Sequence, residues 1–285
     1  MKIHFYKYQA TGNDFVLIDN RSGRYSFTSA QIQRICDRRL GVGGDGLMLI
    51  EKHPALDFNL VYYNSDGSQS LCGNGSRAAV QMAASLGLVN GKARFNAYDG
   101  LHEAEILPDG IVKLKMNDVT SVRPLGKDMF IDTGSPHFIR FINDINEYPV
   151  FEEGKKIRYK EDFRPGGTNV NFVEKRPGNS IFVRTYERGV ENETLSCGTG
   201  VTAAALAASF EGYTSPVKIS TPGGDLTVQF KNGNSSKNTS PAASATDFSD
   251  SATGQPGIHA SHAGMFTDIF LIGPAKLVFE GDLEL

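Results

Sequence analysis

The chain has 285 residues, 40% of them hydrophobic and 21% charged, with a formal net charge of −3. That length accommodates two domains with separate cores, and the near-balanced charge gives no reason to expect a nucleic-acid or membrane partner. Three cysteines, no apolar leader in Met1-Lys2-Ile3-His4-Phe5-Tyr6-Lys7 and no run near the ~18–20 apolar residues of a membrane span fit a cytoplasmic protein better than a secreted disulfide scaffold.

From the N-terminus, alternating apolar runs at Ile3–Tyr8 and Phe15–Asp19 predict strands. Thr28–Arg39, with an N-cap candidate at Thr28 or Ser29, predicts an amphipathic helix that buries Cys36. Gly41-Val42-Gly43-Gly44-Asp45-Gly46 resembles a phosphate cradle, but it follows a helix and lacks the lysine of a P-loop. Strands follow at Leu47–Glu51 and Phe58–Tyr63, then an Ala-rich helix over Gly75–Leu86 that ends near Gly87. Ile111–Met116, Asn169–Val173 and Ile181–Tyr186 are the next strands. A second Ala-rich helix, Gly200–Phe210, ends near Gly212. Strands at Val217–Ser220, Leu226–Phe230, Ile269–Ile272 and Lys276–Glu280 complete the chain. Both Ala-rich helices lack a strongly charged face, so each is expected inside a sheet wrapped around it. Many strands and few helices make the fold class α+β. Residues 232–263, rich in Ser, Asn, Thr, Gly, Ala and Pro, read as a flexible surface insertion. His259 and His262 within it read as solvated bystanders rather than metal ligands, and its Asn-x-Ser/Thr triplets matter only in a secreted protein.

The two Ala-rich helices open on the same phrase. Leu71-Cys72-Gly73-Asn74-Gly75 leads into the first, and Ser196-Cys197-Gly198-Thr199-Gly200 leads into the second, 125 residues on (197 minus 72). Thr11-Gly12-Asn13-Asp14-Phe15 is echoed by Thr133-Gly134-Ser135-Pro136-His137-Phe138 at a similar offset of 122 (133 minus 11). Two motifs with similar offsets predict two homologous halves with a boundary near Asn117–Arg123. A Cys-Gly-x-Gly turn at a helix start sets a thiol beside unpaired N–H groups, which favour thiolate and hold anions. Two such sites suit a pair of acid/base thiols, one removing a proton from carbon and the other returning one on the opposite face. Their protonation states are then coupled.

Other candidates are less specific as residues. Asn13 and Asn64 sit in contexts where asparagine is commonly a turn former. His137, after Pro136 at the repeated turn, could hydrogen-bond a substrate or tune a thiol. Glu187-Arg188-Gly189 ends a strand shortly before Cys197, where surface pairing is the default reading.

At these residues the chain resembles the diaminopimelate epimerase family. The matching blocks are Gly12-Asn13-Asp14-Phe15; Tyr63-Asn64-Ser65-Asp66-Gly67 through Cys72-Gly73-Asn74-Gly75; Gly134-Ser135-Pro136-His137; Thr168-Asn169-Val170-Asn171-Phe172; and Glu187-Arg188-Gly189 through Cys197-Gly198-Thr199-Gly200. The resemblance implies a cofactor-independent isomerase that interconverts LL- and meso-diaminopimelate in lysine and peptidoglycan precursor synthesis, with Cys72 and Cys197 as the two bases. It implies that His137 and Glu187 support proton transfer, and that Asn13, Asn64, Asn169, Glu187 and Arg188 hold the substrate's polar groups. It further implies that backbone N–H groups of Gly73-Asn74 and Gly198-Thr199 grip the reacting carboxylate. No metal and no pyridoxal are implied. Two pseudo-symmetric domains are expected, each a bent, mostly antiparallel sheet around a central helix, with the site in the cleft between them. Residues 1–118, completed by a last strand at 274–285, would form one, and 119–273 the other; a homodimer follows by resemblance. Ser135 and Gly46 depart from residues common in the family, Asn and Gln, and put one side-chain contact each in doubt. The competing readings are a proline or hydroxyproline racemase, a thiol redox protein, and a binding protein that has lost catalysis.

Overall fold

A computed structural model describes residues 2–233 and 266–285. All but the first two residues of the expected insertion at 232–263, with His259 and His262, lie outside the described residues. Every strand read from the sequence forms, at Lys2–Ala10, Asn13–Asp19, Gly46–Glu51, Phe58–Asn64, Val112–Lys115, Asn169–Arg176, Ser180–Glu187, Val217–Thr221, Gly224–Asn232, Phe266–Gly273 and Lys276–Glu284. Shorter or more polar strands, among them Lys92–Ala97, Asp128–Asp132 and Pro136–Phe141, were not apparent from patterning. His137 therefore sits in a strand, not in the turn before it.

Four helices occur among the described residues: α1 (Ser29–Cys36), α2 (Gly73–Ser85), α3 (Val150–Arg158) and α4 (Gly198–Ser209). The α1 helix starts where expected, because Thr28 and Gln31 form a reciprocal capping box. It stops short of Arg39, since Asp37 leaves the helical region. Both Ala-rich helices begin two residues earlier than patterning predicts, because each cysteine is itself the N-cap.

Most strand pairs are antiparallel. The parallel exceptions fall at equivalent places in the two halves. Asn13–Asp19 runs parallel to Gly46–Glu51, as Pro136–Phe141 does to Asn169–Arg176. Phe58–Asn64 runs parallel to Lys92–Ala97, as Ser180–Glu187 does to Val217–Thr221. The α1 and α3 helices occupy matching positions. The turn glycines of the repeat match too: Gly12 has φ +87° and Gly134 φ +94°, the left-handed region that suits residues without a Cβ.

The strands form one continuous sheet, joined across the halves by Val112–Lys115 and Phe266–Gly273, and each half packs helices on both faces of its part. In Asn13–Asp19, Phe15 and Leu17 point into the cluster that holds α2, while Val16 and Ile18 meet Ile32 and Ile35 of α1. In the second half Val170 and Phe172 meet Val150 and Ile157 of α3, while Val173 joins the cluster around α4. The alanines of α2 and α4 share that one cluster with Leu271. Small side chains let each helix sit inside its sheet, so the helix starts can approach one another. No described helix is long and apolar enough to cross a membrane.

Candidate active site

Cys72 and Cys197 hold nearly the same backbone conformation, φ −130°, ψ 111° and φ −120°, ψ 112°. The first glycine of each motif faces one side chain. A Cβ on Gly73 would lie 3.5 Å from Leu271 Cδ2, and a Cβ on Gly198 would lie 3.0 Å from the same methyl and 3.2 Å from Asn74 Oδ1. The two helix N-termini therefore converge. The second glycine of each motif admits a strand side chain: a Cβ on Gly75 would overlap Met48 Cε, and one on Gly200 would overlap Asn171 Oδ1. Close approach is thus why both motifs read Cys-Gly-x-Gly.

The thiols are not biased toward thiolate as the helix ends alone predict. Burial pushes Cys72 up to about 11, assisted by the Glu187 carboxylate, against the N–H groups of Gly75 and Asn74 and the Arg77 guanidinium. Burial and then Glu187 push Cys197 further upward, against the Thr199 hydroxyl and the Gly200 N–H. Desolvation exceeds the dipole where the helices meet, with Cys197 buried and Cys72 half-buried. Cys72 Sγ accepts the Gly75 N–H at 3.4 Å, and Cys197 Sγ lies 3.6 Å from Thr199 Oγ1. Glu187, which acts on both thiols, is itself raised by burial and accepts a hydrogen bond from Thr194 Oγ1 at 2.9 Å. Cys36 is buried in the separate cluster around α1.

His137 is fully buried, and burial followed by the Arg188 charge pushes it down to about 3, so it is neutral. Its Nε2 lies 2.9 Å from Thr199 Oγ1 and its Nδ1 lies 3.1 Å from Asn171 Nδ2. Asn74 donates to Asn13 Oδ1 and to the Ser196 carbonyl at 3.2 Å, and Asn13 donates to Asp45 Oδ2 at 2.8 Å. The two helix starts are thereby tied to the first repeated turn.

Asn64 stands slightly apart, its amide bonded to Ser68 Oγ at 2.9 Å within its own turn. Asn169 Nδ2 donates to Ser135 Oγ at 2.9 Å, and Asn169 Oδ1 accepts the Arg188 N–H at 2.8 Å. Ser135 thus retains a contact to the asparagine. The Arg188 side chain is exposed and makes no ion pair among the described residues. The space beside Gly46 is filled by the Tyr62 ring, which a Cβ there would overlap.

Asn171, Thr185 and Arg77 are site residues that spacing did not reveal. Arg77 is fully buried one turn into α2, and its Nη2 donates to Thr11 Oγ1 at 3.2 Å. Its Nε and Nη1 find no partner. Burial pushes it down to about 10.

Comparisons with known proteins identify the family. The family model described as diaminopimelate epimerase matches residues 5–122 and 129–244. A diaminopimelate epimerase of Flavobacterium psychrophilum is 43% identical over 279 residues, covering 96% of this chain and 98% of the relative. That of Chlorobaculum tepidum is 36% identical over 285 residues, with the same coverage of each. Among solved structures, a phenazine biosynthesis protein of the PhzF family from Bacillus anthracis superposes with TM-score 0.71 at 14% identity, covering 100% of both chains. A hydroxyproline epimerase from Agrobacterium vitis gives TM-score 0.62 at 13% identity, covering 100% of this chain and 93% of that one. At such identities the likeness concerns the fold. With a family model spanning both halves and relatives matched nearly end to end, the chain belongs to the diaminopimelate epimerase family.

Proposed function

We propose that this protein epimerises diaminopimelate between its LL and meso forms by two-base chemistry at Cys72 and Cys197, without a cofactor. The observation that carries this reading is the convergence of two cysteine-capped helix N-termini on Leu271. Backbone N–H groups of Gly73, Asn74, Gly198 and Thr199 lie in the first turns of α2 and α4. They offer a carboxylate a fixed cradle that stabilises the charge growing as the α-proton leaves. One cysteine takes that proton as thiolate, and the other delivers its thiol proton to the opposite face of the α-carbon. The proton count is unchanged and the two sulfurs exchange states. Because burial holds both thiols protonated, the substrate's α-ammonium, arriving between them, favours ionisation of the first. Glu187 and His137 support the transfers, and Asn13, Asn64, Asn169, Glu187 and Arg188 hold the distal amino-acid end.

The same reading takes residues 1–118 with 274–285 as one domain and 119–273 as the other, in a cytoplasmic homodimer. Leu277, Val278 and Phe279, consecutive and each about half exposed on the last strand, supply an apolar surface for a second copy.

LL-diaminopimelate incubated with reduced protein in heavy water should yield the meso isomer carrying α-deuterium, and Cys72→Ala or Cys197→Ala should abolish net epimerisation. Exchange with proline or hydroxyproline instead would move the substrate assignment. No exchange with any of the three would overturn the two-base reading.

A further inference from the structure

One row of hydrogen bonds reaches a thiol from behind. The Asn171 amide is oriented by its surroundings. Its Nδ2 lies 3.1 Å from the Phe138 carbonyl, which can only accept, and its Oδ1 takes the Thr185 hydroxyl at 3.0 Å. Asn171 and Thr185 face each other across two paired strands, and Gly200 leaves the space that the amide oxygen fills. The second hydrogen of Nδ2 then points at His137 Nδ1, 3.1 Å away. A neutral imidazole that accepts at Nδ1 carries its hydrogen at Nε2, and that hydrogen goes to Thr199 Oγ1 at 2.9 Å. With its oxygen accepting from His137, Thr199 directs its own hydrogen to Cys197 Sγ at 3.6 Å.

We infer that the Thr199 side-chain hydroxyl is a catalytic hydrogen-bond donor to the Cys197 sulfur, and that Asn171 is a positioning residue that sets its direction through the His137 tautomer. This rests on the two-base reading above and deepens it. The row moves no proton. It holds a donor on the sulfur, and a hydrogen bond to the charged form favours thiolate. Facing Cys197 are also the Glu187 carboxylate, Cys72 and the Gly200 N–H, and facing His137 is Arg188; Cys72 is replaced identically in the parent and every variant below, and the others are unchanged. The first half has no counterpart: Asn74 stands where Thr199 does and Met48 where Asn171 does, so Cys72 receives backbone N–H groups alone. The two bases are therefore differently supported, although their helices are matched.

The test is the pH dependence of iodoacetamide alkylation at Cys197, resolved by peptide mass spectrometry, in full-length protein carrying Cys72→Ala. Thr199→Val keeps the branched shape and removes the hydroxyl. It should raise the midpoint by about one pH unit and slow alkylation about tenfold at fixed pH. Thr199→Ser keeps the hydroxyl and should return both to the parent's values. Asn171→Asp, an acceptor toward Nδ1, should place the imidazole hydrogen there, turn the Thr199 hydroxyl toward Nε2 and reproduce the Thr199→Val shift. If Asn171→Asp is unfolded by circular dichroism, the Val and Ser pair decides alone. An unshifted Thr199→Val, or a shift in Thr199→Ser as large as that in Thr199→Val, overturns the inference. Epimerisation by the unaltered chain is assayed alongside, so failure of the two-base reading is seen separately from failure of the row.

Discussion

Asn171 Oδ1 occupies the space that a Cβ on Gly200 would need. The obstructing atom belongs to an amide fixed by Phe138 and Thr185, so it cannot swing away. Gly200→Ala should cost about 1–3 kcal/mol of stability, as overpacking of a filled site does, and lose most activity. At the matching position in the first half, Gly75→Ala meets the flexible end of Met48 and should cost less. Thermal melts of the two variants should differ in that order.

Burial of His137 has a consequence for acid stability. Its folded pKa, about 3, lies below the ordinary 6.5, so between those values the unfolded chain binds a proton that the folded chain refuses. Stability should therefore fall as pH drops through that window, by up to about 1.4 kcal/mol per pH unit from this residue. His137→Gln should flatten the slope in urea titrations run from pH 6.5 to 4, at whatever absolute stability the variant has.

The Arg77 guanidinium is buried without a carboxylate, and removing it tests what it does for Cys72. Arg77→Met keeps the length and discards the charge. Stability should be unchanged or higher by up to about 2 kcal/mol, since no buried charge is left behind and the Thr11 hydroxyl that loses its donor still bonds Ser196 Oγ. Alkylation of Cys72 should become slower, because the cation that opposes the upward shift of that thiol is gone. Faster alkylation would show that the guanidinium acts chiefly by shielding the sulfur.

Leu277, Val278 and Phe279 are 49%, 57% and 47% exposed, too much apolar surface in one run for a strand facing water. Leu277→Glu with Phe279→Glu should yield a monomer by sedimentation velocity if this strand is the subunit contact. An unaltered sedimentation coefficient would place the contact elsewhere or remove it.

Strands with strict alternation and helices with a cap and a terminating glycine were legible from sequence. The α3 helix was not. Its buried positions, Val150, Gly154 and Ile157, are only three, and apart from the exposed Phe151 charged residues fill the rest. The repeat held the missing signal, since α3 starts 121 residues after α1 (150 minus 29). The cysteines were legible because a helix start with two glycines is a local pattern. Asn171, Thr185 and Arg77 were not, since their partners come from strands and turns far away in sequence. The direction of the thiol pKa values was missed for the same reason: a dipole is local to its helix, whereas burial depends on everything packed around it.

The first strand, Lys2–Ala10, is held between Asn13–Asp19 and the last strand, Lys276–Glu284, with Lys2 opposite Glu284. A ribosome therefore releases the opening residues of this sheet long before their final neighbour exists. Lys2–Ala10 stays half paired until Lys276–Glu284 has been made and has left the exit tunnel.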